Sequence, residues 1–170
     1  MFVDPIMGDN GKLYAGVPES TIGLMRSLVE CADYAVPNYT EACLLTDTPI
    51  AEEITADEAR ALVDAMLALG TKSVVITSAK VDGASAVVGY DHVAGEYFEI
   101  PFELIPVYFP GTGDTFSAVL MGRVMSGWSL QRATADAMRV VAELIERNAD
   151  QEDKSAGLPI EACLDVIDHE

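Results

Sequence analysis

The sequence predicts an α/β layered domain with a mostly parallel sheet, and three observations carry that expectation. Short apolar runs alternate with stretches of helical periodicity along the chain. The run Ser73 to Thr77 is apolar and β-branched without alternation, as in a strand covered on both faces. Two better-alternating runs, Ala84 to Tyr90 and Glu96 to Ile100, are joined by a polar, Gly-containing turn and predict an antiparallel hairpin at the sheet's edge.

Each element has its own local signal. Phe2-Val3 is the tail of a buried strand, closed by Asp4-Pro5 and a loop over Met7 to Gly11. A helix from Pro18 to Cys31 places Ile22, Met25 and Val29 on one face, with Pro18 near its start. Tyr34 to Val36 is a brief strand that Pro37-Asn38 ends, and Thr40 to Thr46 forms a short helix. Thr55-Ala56-Asp57-Glu58 has the form of a capping box, opening a helix that runs to Leu69, with Gly70 as its terminator. Val107 to Phe109 is expected as one more short strand. Helices over Thr112 to Ser126 and Ser129 to Asn148 follow, broken at Gly127. After a solvated loop over 150–158, a last short helix covers about Pro159 to Ile167. The whole of 1–170 is expected to form a single domain.

Composition excludes several functions. Half of the 170 residues are apolar, which suits a folded core, and 28 acidic residues against 10 basic ones leave a net charge of −18. A nucleic-acid partner is excluded, because phosphate binding needs a basic face and no run supplies one. An anionic membrane surface is disfavoured for the same reason, and no uncharged apolar stretch approaches the roughly 18–20 residues that span a bilayer. The three cysteines, Cys31, Cys43 and Cys163, make no C-x-x-C and suggest a reducing, cytoplasmic setting. His92, in the hairpin turn, and His169, in the tail, have no ligand-like spacing and are expected at the surface.

Four segments could carry chemistry. In Phe109-Pro-Gly-Thr-Gly-Asp-Thr-Phe116, two glycines flank a threonine where a strand is expected to hand over to a helix. Glycines let the backbone approach a ligand, and first-turn N–H groups with the helix dipole make an anion site. Asp114, at that helix start, either accepts a proton from an attacking hydroxyl or caps the helix. Asn38-Tyr-Thr-Glu41 offers an amide and a carboxylate three residues apart, suited to Mg²⁺ with its waters or to a capping arrangement. Asp4 and Asp9 bracket a tight loop, where Asp9 could reach a metal or phosphate or make a solvated turn. Thr77-Ser78 offers two hydroxyls just past a buried strand. All four lie at C-terminal ends of expected strands, the edge where open α/β sheets bind ligands. Together they describe Mg²⁺-dependent phosphoryl transfer. No G-x-x-x-x-G-K-[S/T], G-x-G-x-x-G or G-x-S-x-G occurs, so P-loop, Rossmann and hydrolase chemistry lose their usual signals.

These motifs, in this order over about 110 residues, resemble the pyridoxal kinases of the ribokinase-like superfamily. The resemblance runs through Asp4-Pro-Ile-Met-Gly-Asp9 with Gly11-Lys-Leu-Tyr14, Pro37-Asn-Tyr-Thr-Glu41, Val75-Ile-Thr-Ser78 and Gly111-Thr-Gly-Asp114. It implies a ribokinase-like layered fold and ATP-dependent phosphorylation of the 5′-hydroxymethyl of pyridoxal, pyridoxamine or pyridoxine. Asp114 would be the catalytic base, and Gly111, Thr112 and Gly113 the anion hole. Asp9 and Glu41 would organise Mg²⁺ with its waters. Asp4, Asn38, Thr77, Ser78, Val107 and Phe109 would lie on the nucleotide side, with Asp4 bracing its loop and Asn38 supporting the metal network. A homodimer is the family habit, and a requirement for a monovalent cation is left open. The alternatives are a hydroxymethylpyrimidine kinase of thiamin synthesis, whose members commonly place Cys at the position of Asp114, and a non-catalytic nucleotide-binding or assembly module.

Two departures stand out. Val36 occupies a place where the family often has Thr, removing a hydroxyl near the phosphates. The family's members are also longer than 170 residues, and this chain resembles only their C-terminal part. Phe2-Val3 is short for a buried strand, which usually has about five or six residues. The chain is therefore expected to be a fragment lacking N-terminal strands and most of the B6 pocket, or to pair with another chain.

Overall fold

The computed structural model describes residues 1–167; His169 lies outside them. In chain order the elements are β1 (Phe2–Val3), β2 (Gly8–Asp9), β3 (Lys12–Leu13), α1 (Ser20–Glu30), β4 (Tyr34–Ala35), α2 (Tyr39–Thr46) and α3 (Ala56–Ala68). They continue with β5 (Ser73–Val81), β6 (Ala84–Asp91), β7 (Glu96–Phe102), α4 (Thr112–Met125), α5 (Leu130–Arg147), a 3₁₀ turn (Ile160–Ala162) and α6 (Leu164–Ile167). The chain divides into two compact units, Met1–Glu103 and Leu104–Glu170.

The first unit is built on a five-stranded sheet in the order β1-β4-β5-β6-β7. β1, β4 and β5 pair in parallel, and β6 and β7 add an antiparallel hairpin at the edge, so four of the five strands share one direction. This is the mostly parallel α/β sheet that the sequence pattern predicts. Val74, Val75 and Ile76 are all buried, which explains why the β5 sequence does not alternate. Leu62, Val63 and Met66 of α3 and Cys43 and Leu45 of α2 pack into the same core as Val74 and Ile76. The expected capping box of α3 is present: the Thr55 hydroxyl accepts from Glu58 N–H, and the Glu58 carboxylate accepts from Thr55 N–H at 2.8 Å.

Four local expectations are corrected. Residues 7–13 form a small β2–β3 hairpin rather than a plain loop, turned by Asn10 (φ 52°) and Gly11 (φ 79°). β5 does not stop at Thr77. It continues through an irregularity between Ile76 and Ala79, with Ser78 at φ 60°, and turns into β6 at Asp82-Gly83. Val107 to Phe109 is not a strand: Pro106 and Pro110 bracket it, and the Val107 N–H bonds locally to the Ile105 carbonyl. The expected last helix is split by Cys163 into the 3₁₀ turn and α6.

The second unit is a helix pair with its C-terminal segment. Leu130, Ala133, Thr134, Ala137, Val140 and Leu144 of α5 recur at helical spacing and are all buried. Arg123 donates to the Ile167 carbonyl and Arg139 to the Val166 carbonyl, so arginines satisfy carbonyls at the end of α6 that have no partner within the helix.

Candidate active site

In the first unit the motif residues converge on one buried carboxylate. Glu41 is 2% exposed at the third position of α2. Its Oε2 accepts from the Asn38 N–H at 2.9 Å, while the Asn38 Oδ1 accepts from the Glu41 N–H at 2.9 Å, completing a capping box. Its Oε1 accepts from the Met7 N–H at 2.7 Å and more loosely from the Gly8 N–H at 3.3 Å. Burial pushes the Glu41 carboxyl above its ordinary range against the pull of those three backbone donors, and the charge of Asp4 adds to the rise.

The β2–β3 hairpin is fastened to the same helix end. The Asn38 Nδ2 donates to the Gly8 carbonyl at 2.8 Å, and the Gly11 N–H donates to the Thr40 hydroxyl at 3.0 Å. Position 8 must be glycine, because a Cβ there would lie 2.5 Å from the Lys12 carbonyl oxygen. Ile6, just before these donors, has φ 40°, an outlying conformation for a β-branched residue. Asp9 is half-buried, and its carboxylate accepts from the Asn10 N–H at 2.7 Å and from the Asn10 side chain at 3.2 Å. Thr77 joins the cluster: its N–H donates to the Pro37 carbonyl at 3.0 Å, and it bridges Asn38 in parallel register. Ser78 is exposed beside it.

Among the described residues, no group of three or more His, Cys, Asp or Glu side chains could hold a metal directly. The donors near Glu41 are nevertheless hard oxygens. A carboxylate offers about four lone-pair sites, and the three backbone donors leave one on Oε2. That chemistry fits a cation that keeps most of its own waters, as magnesium does.

In the second unit, α4 begins at Gly111, whose φ of 84° is accessible to glycine at little cost. No side chain caps this end, so its first-turn N–H groups stay open. Asp114 is the third residue of the helix rather than its N-cap, and it is exposed. Gly111 and Gly113 are exposed and Thr112 is half-buried. Phe109, expected on the nucleotide side, is wholly buried, with the Lys154 ammonium 5.9 Å from the ring centre. Val107 is half-buried.

The first unit thus gathers Asp4, Asp9, Asn38, Glu41 and Thr77, and the second presents Gly111 to Asp114. Sequence reasoning missed Thr40, whose hydroxyl ties the hairpin to α2. The Asn10-Gly11 dipeptide, the strongest short hairpin signal, would have revealed the turn that brings Gly11 to it.

A family model described as phosphomethylpyrimidine kinase matches residues 1–158. The chain belongs to this family. It is 34% identical over 174 residues to a pyridoxal kinase of Arabidopsis thaliana, a match covering 96% of this chain and 53% of that protein. A putative phosphomethylpyrimidine kinase of Bacteroides thetaiotaomicron, solved with pyridoxal, superposes with a TM-score of 0.90 at 31% identity, covering 99% of this chain and 60% of that one. The pyridoxal kinase of Leishmania donovani, in complex with ADP and pyridoxamine, gives a TM-score of 0.77 at 26% identity, covering 99% and 57%. The ribokinase-like fold is therefore shared across the chain. The chain spans between 36% and 53% of the length of the curated relatives it matches. Among the described residues, no helix is long and apolar enough to cross a membrane.

Proposed function

We propose that this family member carries phosphoryl-transfer machinery acting on the 5′-hydroxymethyl group of pyridoxal, pyridoxamine or pyridoxine, with ATP as donor. The observation that carries the reading is the open start of α4: uncapped N–H groups at a positive-φ glycine, with an exposed carboxylate in the same turn. Asp114 accepts the proton of the substrate hydroxyl as its oxygen attacks the γ-phosphorus. The bond from that phosphorus to the β,γ-bridging oxygen breaks, and ADP leaves with the electron pair. Backbone N–H groups at Gly111 to Gly113 receive the charge spread over the transferring oxygens.

Asp9 and Glu41 would hold magnesium through its waters, with Asn38 fixing the Glu41 carboxylate; magnesium supplies charge neutralisation of the phosphates. Asp4, Thr77 and Ser78 line the nucleotide side. A homodimer, supported by the family resemblance, and a cytoplasmic setting, supported by the free cysteines, belong to the same proposal, with a monovalent cation as a further ligand to test.

The family description favours a second reading, phosphorylation of hydroxymethylpyrimidine. One assay tests both: the chain is incubated with MgATP and either substrate, with Asp114→Ala in parallel. Pyridoxal phosphate and ADP are expected from the unaltered chain and are lost in the variant. Phosphorylation that survives loss of Asp114 overturns the mechanism. Turnover of the pyrimidine alone establishes the second reading, and nucleotide binding without turnover on either substrate establishes a binding module.

A further inference from the structure

A net charge of −18 opposes the approach of a nucleotide polyphosphate, so a basic side chain that the fold leaves unpaired would favour its binding beside magnesium. Among the described residues nearly every basic side chain is committed. Six are paired to carboxylates, among them Arg26 to Asp47 at 2.6 Å and Lys80 to Glu53 at 3.1 Å. Arg60 and Arg132 lie over aromatic rings, and Lys154 donates to the Gln151 carbonyl at 2.6 Å. Lys12 is the exception.

Its freedom is built into the hairpin. Lys12 on β3 stands opposite Asp9 on β2, and an opposite-charge pair facing across a turn normally interacts. Here the Asp9 carboxylate is taken instead by the Asn10 N–H and amide, and the Lys12 side chain is left exposed. The backbone that carries it is held firmly. Gly8 and Gly11 are bonded to Asn38, Glu41 and Thr40, and the Tyr14 N–H donates to the Met7 carbonyl at 3.0 Å. The backbone that carries Lys12 is thus fixed to the start of α2, at Asn38, Thr40 and Glu41, where the reading above puts the magnesium network.

We infer that Lys12 binds the terminal phosphate of the nucleotide. The inference rests on the nucleotide reading above and adds to it the one charged side chain of the first unit that contacts the polyphosphate.

The test is equilibrium binding of MgATP and of AMP to the unaltered chain, to Lys12→Met and Lys12→Arg, and to Lys80→Met as a charge-matched control. Lys12→Met is expected to weaken MgATP roughly tenfold, the loss of one charge-assisted contact, and to leave AMP unchanged. Lys12→Arg restores most of the affinity, and Lys80→Met matches the unaltered chain. Equal MgATP affinity in Lys12→Met, or an equal loss for AMP, overturns the assignment of Lys12 while leaving the nucleotide reading standing. An unaltered chain that binds no MgATP overturns both.

Discussion

Glu41 and Asp114 occupy the same position, the third residue of a helix, in α2 and α4, and the two helix starts use them in opposite ways. Asn38 begins α2, and its amide draws Glu41 into a reciprocal box; the carboxylate is buried, and three backbone N–H groups bond to it. Gly111 begins α4 and has no side chain to offer, so the first-turn donors stay open and the Asp114 carboxylate stays exposed. The cap residue decides how far a first-turn carboxylate is taken up by backbone donors. Asn-x-x-Glu fastens a loop; Gly-x-Gly-Asp leaves a carboxylate exposed beside uncapped N–H groups.

The largest effect expected from this contrast is on turnover. Asp114→Ala should lower phosphorylation by about 10²–10⁴-fold, the range for removing a general base, with an unchanged melting temperature. A melting temperature that falls with the activity would show that Asp114 is structural after all. Glu41→Gln should lower stability as well as phosphorylation. It replaces an acceptor oxygen with a donor facing N–H groups already committed, so stability should drop by about 3 kcal/mol, read as a lowered denaturant midpoint. If Glu41→Gln melts like the unaltered chain, the box is not holding the Ile6–Gly8 turn.

Exchanging the cap sharpens the comparison further. Gly111→Asn gives α4 the cap of α2, and asparagine tolerates the positive φ better than other side chains. A Cβ at position 111 meets nothing nearer than an Asp114 carboxylate oxygen at 3.8 Å, so the substitution has room. Its amide oxygen would take a first-turn N–H that is otherwise uncapped and is proposed above to meet phosphate. Phosphorylation should fall by roughly 10²-fold, as for losing an oxyanion donor, with stability within about 1 kcal/mol.

What was legible in the sequence follows the same division between local and non-local causes. The Thr55-x-x-Glu58 box, α3 with Gly70 just past its end, and the edge hairpin rest on spacing within a few residues, and the structure has them where the spacing puts them. Asn38-x-x-Glu41 was legible as a motif, but its capping and ligand readings could not be separated by spacing. The box itself is local, yet the donors that bury Glu41 come from Met7 and Gly8, over 30 residues away. Val107 to Phe109 has strand-forming residues and no strand, because β structure requires a partner that composition does not reveal. Asn10-Gly11 and Asp82-Gly83 are the exceptions: both are local turn signals that state which strands pair, and both turns are present.

Glu58 supplies the smallest and most diagnostic effect, because it is a third acidic residue at the third position of a helix, boxed like Glu41 but exposed like Asp114. The Thr55 N–H and hydroxyl bonded to its carboxylate hold its pKa below the ordinary 4.5. A carboxyl whose folded pKa is depressed binds fewer protons in the folded state, so it adds stability above its unfolded value. That contribution is lost as pH falls through 4.5 towards the folded pKa. Burial raises Glu41, so its titration has the opposite sign, and the two boxes are separable by pH. Melting the unaltered chain and Glu58→Gln between pH 7 and pH 3 should show Glu58→Gln less stable at neutral pH, with the gap closing as pH drops. A gap that stays constant would mean that the box contributes through hydrogen-bond geometry alone, and that charge at this position matters only where, as at Glu41, water is excluded.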